Sequence, residues 1–569
     1  MILRILCIKL KKEKGVSMNS KTKTVGKFFI FSCMSFLLIF FSYGGLKASD
    51  FPPEVLEAKK SIKGTMLLSH IDFLASDLCR GREPGQRGMD AAVKYISTIL
   101  VGAGVDRAGE FGSYNQPVKL ETVSLDKNIR LTVEYPISGG LVRQVKHARL
   151  DWDFLPVILS AEMEVTAQLV FAGYGITAPE HKYDDYKNLN AAGKIVLAMR
   201  HEPGENDENS PFEGQKLSRY GTLLSKILNA QEHGAVGILF VTDPLNHDDQ
   251  SVRGGSFMSG TSWPILRKER LQKQKDEDLK YRRFSPRMRI SGKDFGVRIP
   301  AAMIDGKLAD YILGEKYSLL EIQKKIDKTM TPYSFLLPGR KVTMDIFFKK
   351  EFIQAGNIAA KVEGSDPELK KEVVIVGAHY DHVGKDNRGQ VYPGADDNAS
   401  GTAVVMEVAR AFHNLKQKPK RTILFILFTA EEKGLLGSHY YVQDPIFPLD
   451  KTFAMINLDM VGRNDVDQMA VIGKYQFPKL FKIIETINKN TVNFQFNFSV
   501  EQFIRNSDHS PFMRAGIPCL MFNSGMHDQL HTPRDTVDRI IPDKVEKAAQ
   551  LVFLSLWEVA NLPAGTRLK

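Results

Sequence analysis

Four apolar runs in the second half of the chain each end on residues that can hold charge or metal. EVVIVGA (372–378) is followed by His379-Tyr380-Asp381, and RTILFILFTA (421–430) by Glu431-Glu432. FAMINL (453–458) is followed by Asp459, and IPCLMFNS (517–524), after a short loop, by His527 and His531. GADDNASG (394–401), between the first run and the helix after it, adds Asp396 and Asp397. Adjacent carboxylates repel, and acids at the mouth of a core strand lose hydration, so a pair such as Glu431-Glu432 needs a compensating charge. Imidazoles and carboxylates without a thiolate are a donor set for zinc. The acids are too numerous for one tetrahedral ion. Two ions roughly 3.5–4 Å apart, bridged by one carboxylate, would absorb them, activate a water and leave one acid free as a base.

The elements that must carry these residues alternate. Beyond about residue 340, strand-like runs (EVVIVGAH, RTILFILFTA, FAMINLDM, IPCLMFNS) alternate with helical ones (GTAVVMEVARAFHNL, GLLGSHYYV, FPKLFKIIETIN, DKVEKAAQLVFLSLWEVA). That order predicts an α/β fold with a mixed, largely parallel central sheet flanked by helices. Ligands of such sheets bind beyond the carboxyl ends of the strands, where the acids and imidazoles fall. Earlier in the chain, 60–105 reads as helical with a break at GREPGQRG (81–88). Strands follow at RLTVEY, AQLVFAGYGI and KIVLAMR, then a helix at 223–235 and a strand at GILFVT. With 569 residues, more than one domain is expected.

Composition narrows the function classes. With 43% hydrophobic and 25% charged residues the chain is globular. The net charge of +11 is concentrated in residues 1–48, where nine Lys/Arg face one acid; the rest holds 68 basic against 65 acidic residues. A body so nearly balanced gives no electrostatic reason to expect nucleic acid. Lys21, Lys23 and Lys27 precede the apolar run 28–45 and Ala48, the pattern of a secretory signal, with Met18 the better start. An uncleaved anchor is the competing reading. A signal over 1–48 implies a periplasmic or secreted protein with no stable membrane insertion after cleavage. Two cysteines then remain, Cys79 and Cys519, which form no disulfide framework; Cys519 reads as a buried thiol.

Six segments, HYDHVG (379–384), PGADDNASGTA (393–403), TAEEKGLLGS (429–438), NLDMVGR (457–463), SDHSPF (507–512) and LHTPRDT (530–536), resemble in order the M28 family of zinc peptidases. LASDLCRGREPGQRGMDAAVKYI (74–96) resembles that family's N-terminal helix region. VFAGYGITAPEHKYDDYKNLNAAGKIVL (170–197) resembles its inserted protease-associated (PA) domain. The resemblance implies a signal over 1–48, a first part of the peptidase domain over 49–150, a β-rich PA insert over 151–330 and the main peptidase part over 331–569. It implies two zinc ions per chain: His379 and Asp459 on one, Glu432 and His531 on the other, Asp397 bridging, often with a cis peptide after it. Glu431 would be the general base, and Asp381 would orient His379 through its second nitrogen. The implied partners are peptide or protein substrates, cleaved first of all by an aminopeptidase. A carboxypeptidase for acidic C-termini, a glutaminyl cyclase and a non-catalytic scaffold are the alternatives. Many relatives place Tyr, an oxyanion donor, where this chain has Leu530.

Other polar residues read more simply. Asp396 reads as a turn acid, and His382, His509 and His527 as surface or supporting groups. Ser507-Asp508 reads as a helix N-cap, and GGSFMSG (254–260) as a loop rather than a phosphate cradle.

Overall fold

The computed structural model describes residues 51–569 apart from 138–141, 213, 215–217, 253–286, 293–294 and 387. The signal-like segment 1–48 and GGSFMSG (254–260) lie outside the described residues.

Runs that are apolar at every position, not at alternate ones, form strands covered on both faces. Val373–His379 and Thr422–Phe428 are of this kind, and every residue in both is buried. With Thr452–Leu458 and Cys519–Asn523 they make the parallel centre of a ten-stranded sheet. The strands that join this centre on either side are antiparallel to it. Phe348–Val362 and then Asn115–Leu125 extend one side, with Arg287–Ile290 at that edge, and Gln468–Ile472 adjoins Cys519–Asn523 on the other. The sheet is therefore mixed, with its parallel strands grouped in the middle.

The helix Gly401–His413 is buried on nearly its whole circumference because it lies between the sheet and two further helices, Gly64–Leu74 and Pro542–Asn561. A helix apolar all round has to be sandwiched in this way. Its one buried acid, Glu407, is held by Arg410 at 2.9 Å and faces His70.

A second, eight-stranded sheet has its own apolar clusters on both faces. Met163–Ala172, Ile195–Met199, Gly237–Val241 and Ala301–Ile304 run parallel in its middle. Helices Gly306–Leu313 and Leu319–Thr329 contribute to one cluster and Leu223–Glu232 to the other. Leu125 and Phe348 are paired directly across two antiparallel strands of the first sheet, and the chain between them builds the second sheet and also adds Arg287–Ile290 to the edge of the first. The two ends of this intervening chain are thus neighbours. Three of its strands, Arg130–Ile137, Val142–Ala148 and Ser334–Ile346, lie wholly or partly outside the expected span 151–330. Their antiparallel pairing with one another and with Met163–Ala172 fixes them there, a long-range contact that alternation along the chain does not reveal.

Cys79 and Cys519 are free and buried.

Candidate metal centre

The parallel strands end at one rim, and that rim assembles the polar residues. His379 closes its strand, Asp459 follows Leu458 directly, and Glu431-Glu432 follow the Thr422–Phe428 strand. Asp397 comes from the loop before Gly401–His413, and His531 from the loop after Cys519–Asn523. Asp397 divides its carboxylate: Oδ1 lies 3.3 Å from His379 Nε2 and Oδ2 lies 2.9 Å from His531 Nε2. His379 Nε2 also faces Asp459 Oδ1 at 3.2 Å, and His531 Nε2 faces Glu432 Oε2 at 3.1 Å. Two donor groups result, His379/Glu431/Asp459 and His382/Asp397/Glu432/His531, each with its ligating atoms within 4.8 Å of one another.

A donor set of four carboxylates and three imidazoles fits divalent metal better than a closed hydrogen-bond network. An imidazole nitrogen carries at most one proton, yet His379 Nε2 and His531 Nε2 each converge on two carboxylate oxygens. Buried carboxylates left facing one another need a cation among them. Electrostatics show the same crowding. Burial pushes the Glu431 carboxyl well above the usual range, and Glu432 and Asp459 add to this against the pull of His379. Burial acts on Asp397 in the same sense, but the imidazoles of His382, His379 and His531 hold it well below the carboxylate range.

Asp381 touches both sides of this arrangement. Its carboxylate accepts the main-chain N–H groups of Glu431 at 3.0 Å and Glu432 at 3.3 Å, which fixes the acid pair. His379 Nδ1 lies 3.3 Å from the Asp381 main-chain carbonyl and 3.8 Å from its carboxylate. Ala430, Met460 and His531 all have left-handed backbones (φ 54°, 62° and 51°). Strained non-glycine residues of this kind persist only where the surroundings over-determine them. The Asp397–Asn398 peptide is cis. Gly394 opens the Asp397 loop at φ +61°, and a Cβ there would stand 2.2 Å from the Asp397 carbonyl oxygen.

Several supporting groups escape a sequence reading. Arg82 is fully buried; its guanidinium donates to the carbonyls of Tyr380 (2.8 Å), Leu74 (2.6 Å), Pro393 (2.7 Å) and Gly394 (2.8 Å). It thereby clamps the loops that carry His379 and Asp397. The Asp535 carboxylate accepts the N–H groups of Asp396 and Asp397, each at 3.1 Å. Asn398 donates to the Leu458 carbonyl at 2.8 Å, and Asn523 to the Asp459 carbonyl at 2.7 Å. For Arg82 the only sequence signal is an arginine in a glycine-rich break; three of its four partners lie some 300 residues away.

Two of the simpler readings change, those of Asp396 and Asp508, while His382 takes the supporting one of its two expected places. Asp396 is not a solvated turn acid: it is buried, accepts the Gly462 N–H at 2.6 Å and lies 3.3 Å from His527. His382 is buried inside the cluster, 2.8 Å from Glu432 Oε1. Asp508 makes no side-chain cap on the short helix His509–Arg514, and the Ser507 hydroxyl instead accepts from Asn457 at 2.9 Å. Both residues are buried, and the hydrogen bond to Asn457 takes the place of a cap for Ser507.

Beside the donors lies a cavity of about 240 Å³. Its apolar wall includes Ile472, Val500, Phe503, Met521, Met526 and Leu530, and no Lys or Arg lines it among the described residues.

Comparisons with known proteins come from the same region. A probable leucine aminopeptidase of Arthroderma benhamiae is 29% identical over 220 residues, 37% of this chain and 61% of that protein. Aminopeptidase YwaD of Bacillus subtilis is 33% identical over 205 residues, 33% of this chain and 42% of that protein. The chain thus spans about half the length of these curated relatives. Across both sheets, the fold is similar to that of the aminopeptidase from Aneurinibacillus sp. strain AM-1 (TM-score 0.51, 20% identity), over 89% of this chain and 96% of that one. The segment that supplies every donor of the centre, residues 357–556, matches the model of Peptidase family M28.

Proposed function

We propose that this chain is an exported two-zinc exopeptidase that removes residues from the amino terminus of peptides. The observation that carries the reading is the divided carboxylate of Asp397, one oxygen toward each donor group. His379 and Asp459 would hold one ion, Glu432 and His531 the other, and Asp397 both. When bound, two such ions supply Lewis acidity toward a water and a carbonyl. Glu431, at the edge of the cavity, would take the proton of the attacking water and pass it to the leaving amine. Asp381 would keep Glu431 and Glu432 in place through their N–H groups. Leu530 lines the cavity and has no hydroxyl, so it offers an oxyanion no donor.

The cavity favours an amino over a carboxyl terminus. Among the described residues carboxylates line it without a Lys or Arg, so an ammonium group finds counter-charges among them and a free carboxylate does not. Its apolar wall suits a leucine- or methionine-like side chain. Aminoacyl nitroanilides should be cleaved and N-acyl dipeptides left intact; the reverse would establish a carboxypeptidase. His531→Ala should lose zinc from this centre and with it nearly all turnover, measured by metal content beside the nitroanilide assay. Full metal retention would remove His531 from the ligand set. Val500→Phe should cut kcat/KM for leucyl substrates by about tenfold or more while sparing alanyl ones, since pocket volume changes of this size act on the 10–200-fold scale.

The second sheet we read as a PA-type insert that restricts access to the cleft. The pairing of Leu125 with Phe348 allows the chain between them, edge strand Arg287–Ile290 included, to be replaced by a short linker. Unchanged rates on both dipeptides and long peptides after that replacement would refute the access role. The basic and apolar pattern of 1–48 supports export; among the described residues no helix is long and apolar enough to cross a membrane.

A further inference from the structure

The second sheet repeats, on a smaller scale, the device that builds the centre of the first. Ile195–Met199 and Gly237–Val241 are adjacent parallel strands in register, with Met199 opposite Val241. Two residues beyond each strand end stand His201 and Asp243, which are therefore level with one another. One turn further along each loop come Glu205 and His247. All four side chains turn toward one point. His201 Nδ1 lies 2.5 Å from Asp243 Oδ1 and 3.7 Å from Glu205 Oε2. His247 Nε2 lies 2.9 Å from the same Glu205 oxygen and 3.6 Å from Asp243 Oδ2. The ligating atoms fall within 4.8 Å of one another.

Hydrogen bonds alone do not satisfy this group. Each ring nitrogen meets two carboxylates with at most one proton to give. The Asp243 side chain is fully buried, and its Oδ2 has no hydrogen-bond partner although it points into the cluster. The imidazoles are stacked, with ring centres 4.2 Å apart and planes 24° from parallel, an arrangement that two imidazolium charges would oppose. Two neutral imidazoles and two carboxylates balance one divalent cation. Lys226 Nζ donates to the main-chain carbonyls of Met199 and His201 and so anchors the loop that presents His201.

The geometry points to a further metal site, at His201, Glu205, Asp243 and His247, that takes a zinc-like divalent ion and staples two strand-end loops of the inserted unit. Imidazole ligands favour zinc or a neighbouring transition metal over calcium or magnesium, and four protein ligands leave no open position, as in a structural site. The site shares no residue with the proposed peptidase centre and stands or falls separately from it.

The test is zinc content of the full chain after equilibration with zinc and dialysis, with thermal unfolding alongside. His247→Gln and Glu205→Gln alter partly exposed side chains and should each lower zinc by one equivalent per chain. Both should leave nitroanilide turnover unchanged and remove the part of the rise in Tm on adding zinc that this site contributes. His531→Ala should retain that equivalent. If His247→Gln and Glu205→Gln both fold and both bind as much zinc as the parent, the site does not exist. The same follows if Asp397→Asn combined with His531→Ala removes all bound zinc from a folded chain.

Discussion

Glu431→Gln should lower kcat by about 10²–10⁴ while zinc content and Tm stay at parental values. The amide matches the carboxylate in shape, and the main-chain N–H of residue 431 still reaches Asp381. What is lost is the ability to accept a proton, and proton transfer by a positioned base contributes on that order of magnitude. The experiment discriminates sharply because Glu431 stands in the donor group of His379 and Asp459. If Glu431 were a metal ligand, the variant would lose zinc together with activity. Near-parental turnover would remove it from the mechanism.

Arg82→Ala should destabilise the unit built on the ten-stranded sheet by about 3–5 kcal/mol, the range for breaking a buried charged network. Four carbonyls, those of Leu74, Tyr380, Pro393 and Gly394, lose their donor together in an interior that water does not reach. Two of them lie three and four residues before Asp397 and one follows His379, so zinc affinity should fall with stability although Arg82 is no ligand. Arg82→Lys should not rescue the effect, since one ammonium cannot reproduce a planar fork of donors. Denaturant unfolding and a zinc titration of both variants check this; a loss under about 1 kcal/mol, that of an ordinary surface change, would show that the loops hold themselves.

How far the sequence reaches can be judged from particular residues. The strand Val373–His379 is legible because the six consecutive residues Val373–Ala378, without a polar interruption, have few other places to go, and the acids and imidazoles after such runs mark the ligand-binding rim. Glu431 and Glu432 announce themselves by being adjacent and costly. Asp396 reads as a turn acid because a sequence does not tell a solvated acid from one buried against Gly462 and His527. Arg82 and Asp535 were not legible at all: their work is to hold main-chain groups of loops far away in sequence, and no local period or propensity records such a partner. The same limit hid the cluster at 201–247. HEPGE and DPLNH look like ordinary polar loops until two parallel strands set His201 and Asp243 side by side.

The sequence by itself determined the alternation of strands and helices, the chemical types at the strand ends and the near neutrality of the body, because these follow from local composition and period. Tertiary structure alone decided that Asp397 turns one oxygen to each donor group and that Arg82 locks the loops beneath it. It also decided that an eight-stranded unit hangs between Leu125 and Phe348, with a second convergence of imidazoles and carboxylates on it. Those are distances between residues far apart in the chain, and distances of that kind are fixed by strand register and packing, not by the residues' own preferences.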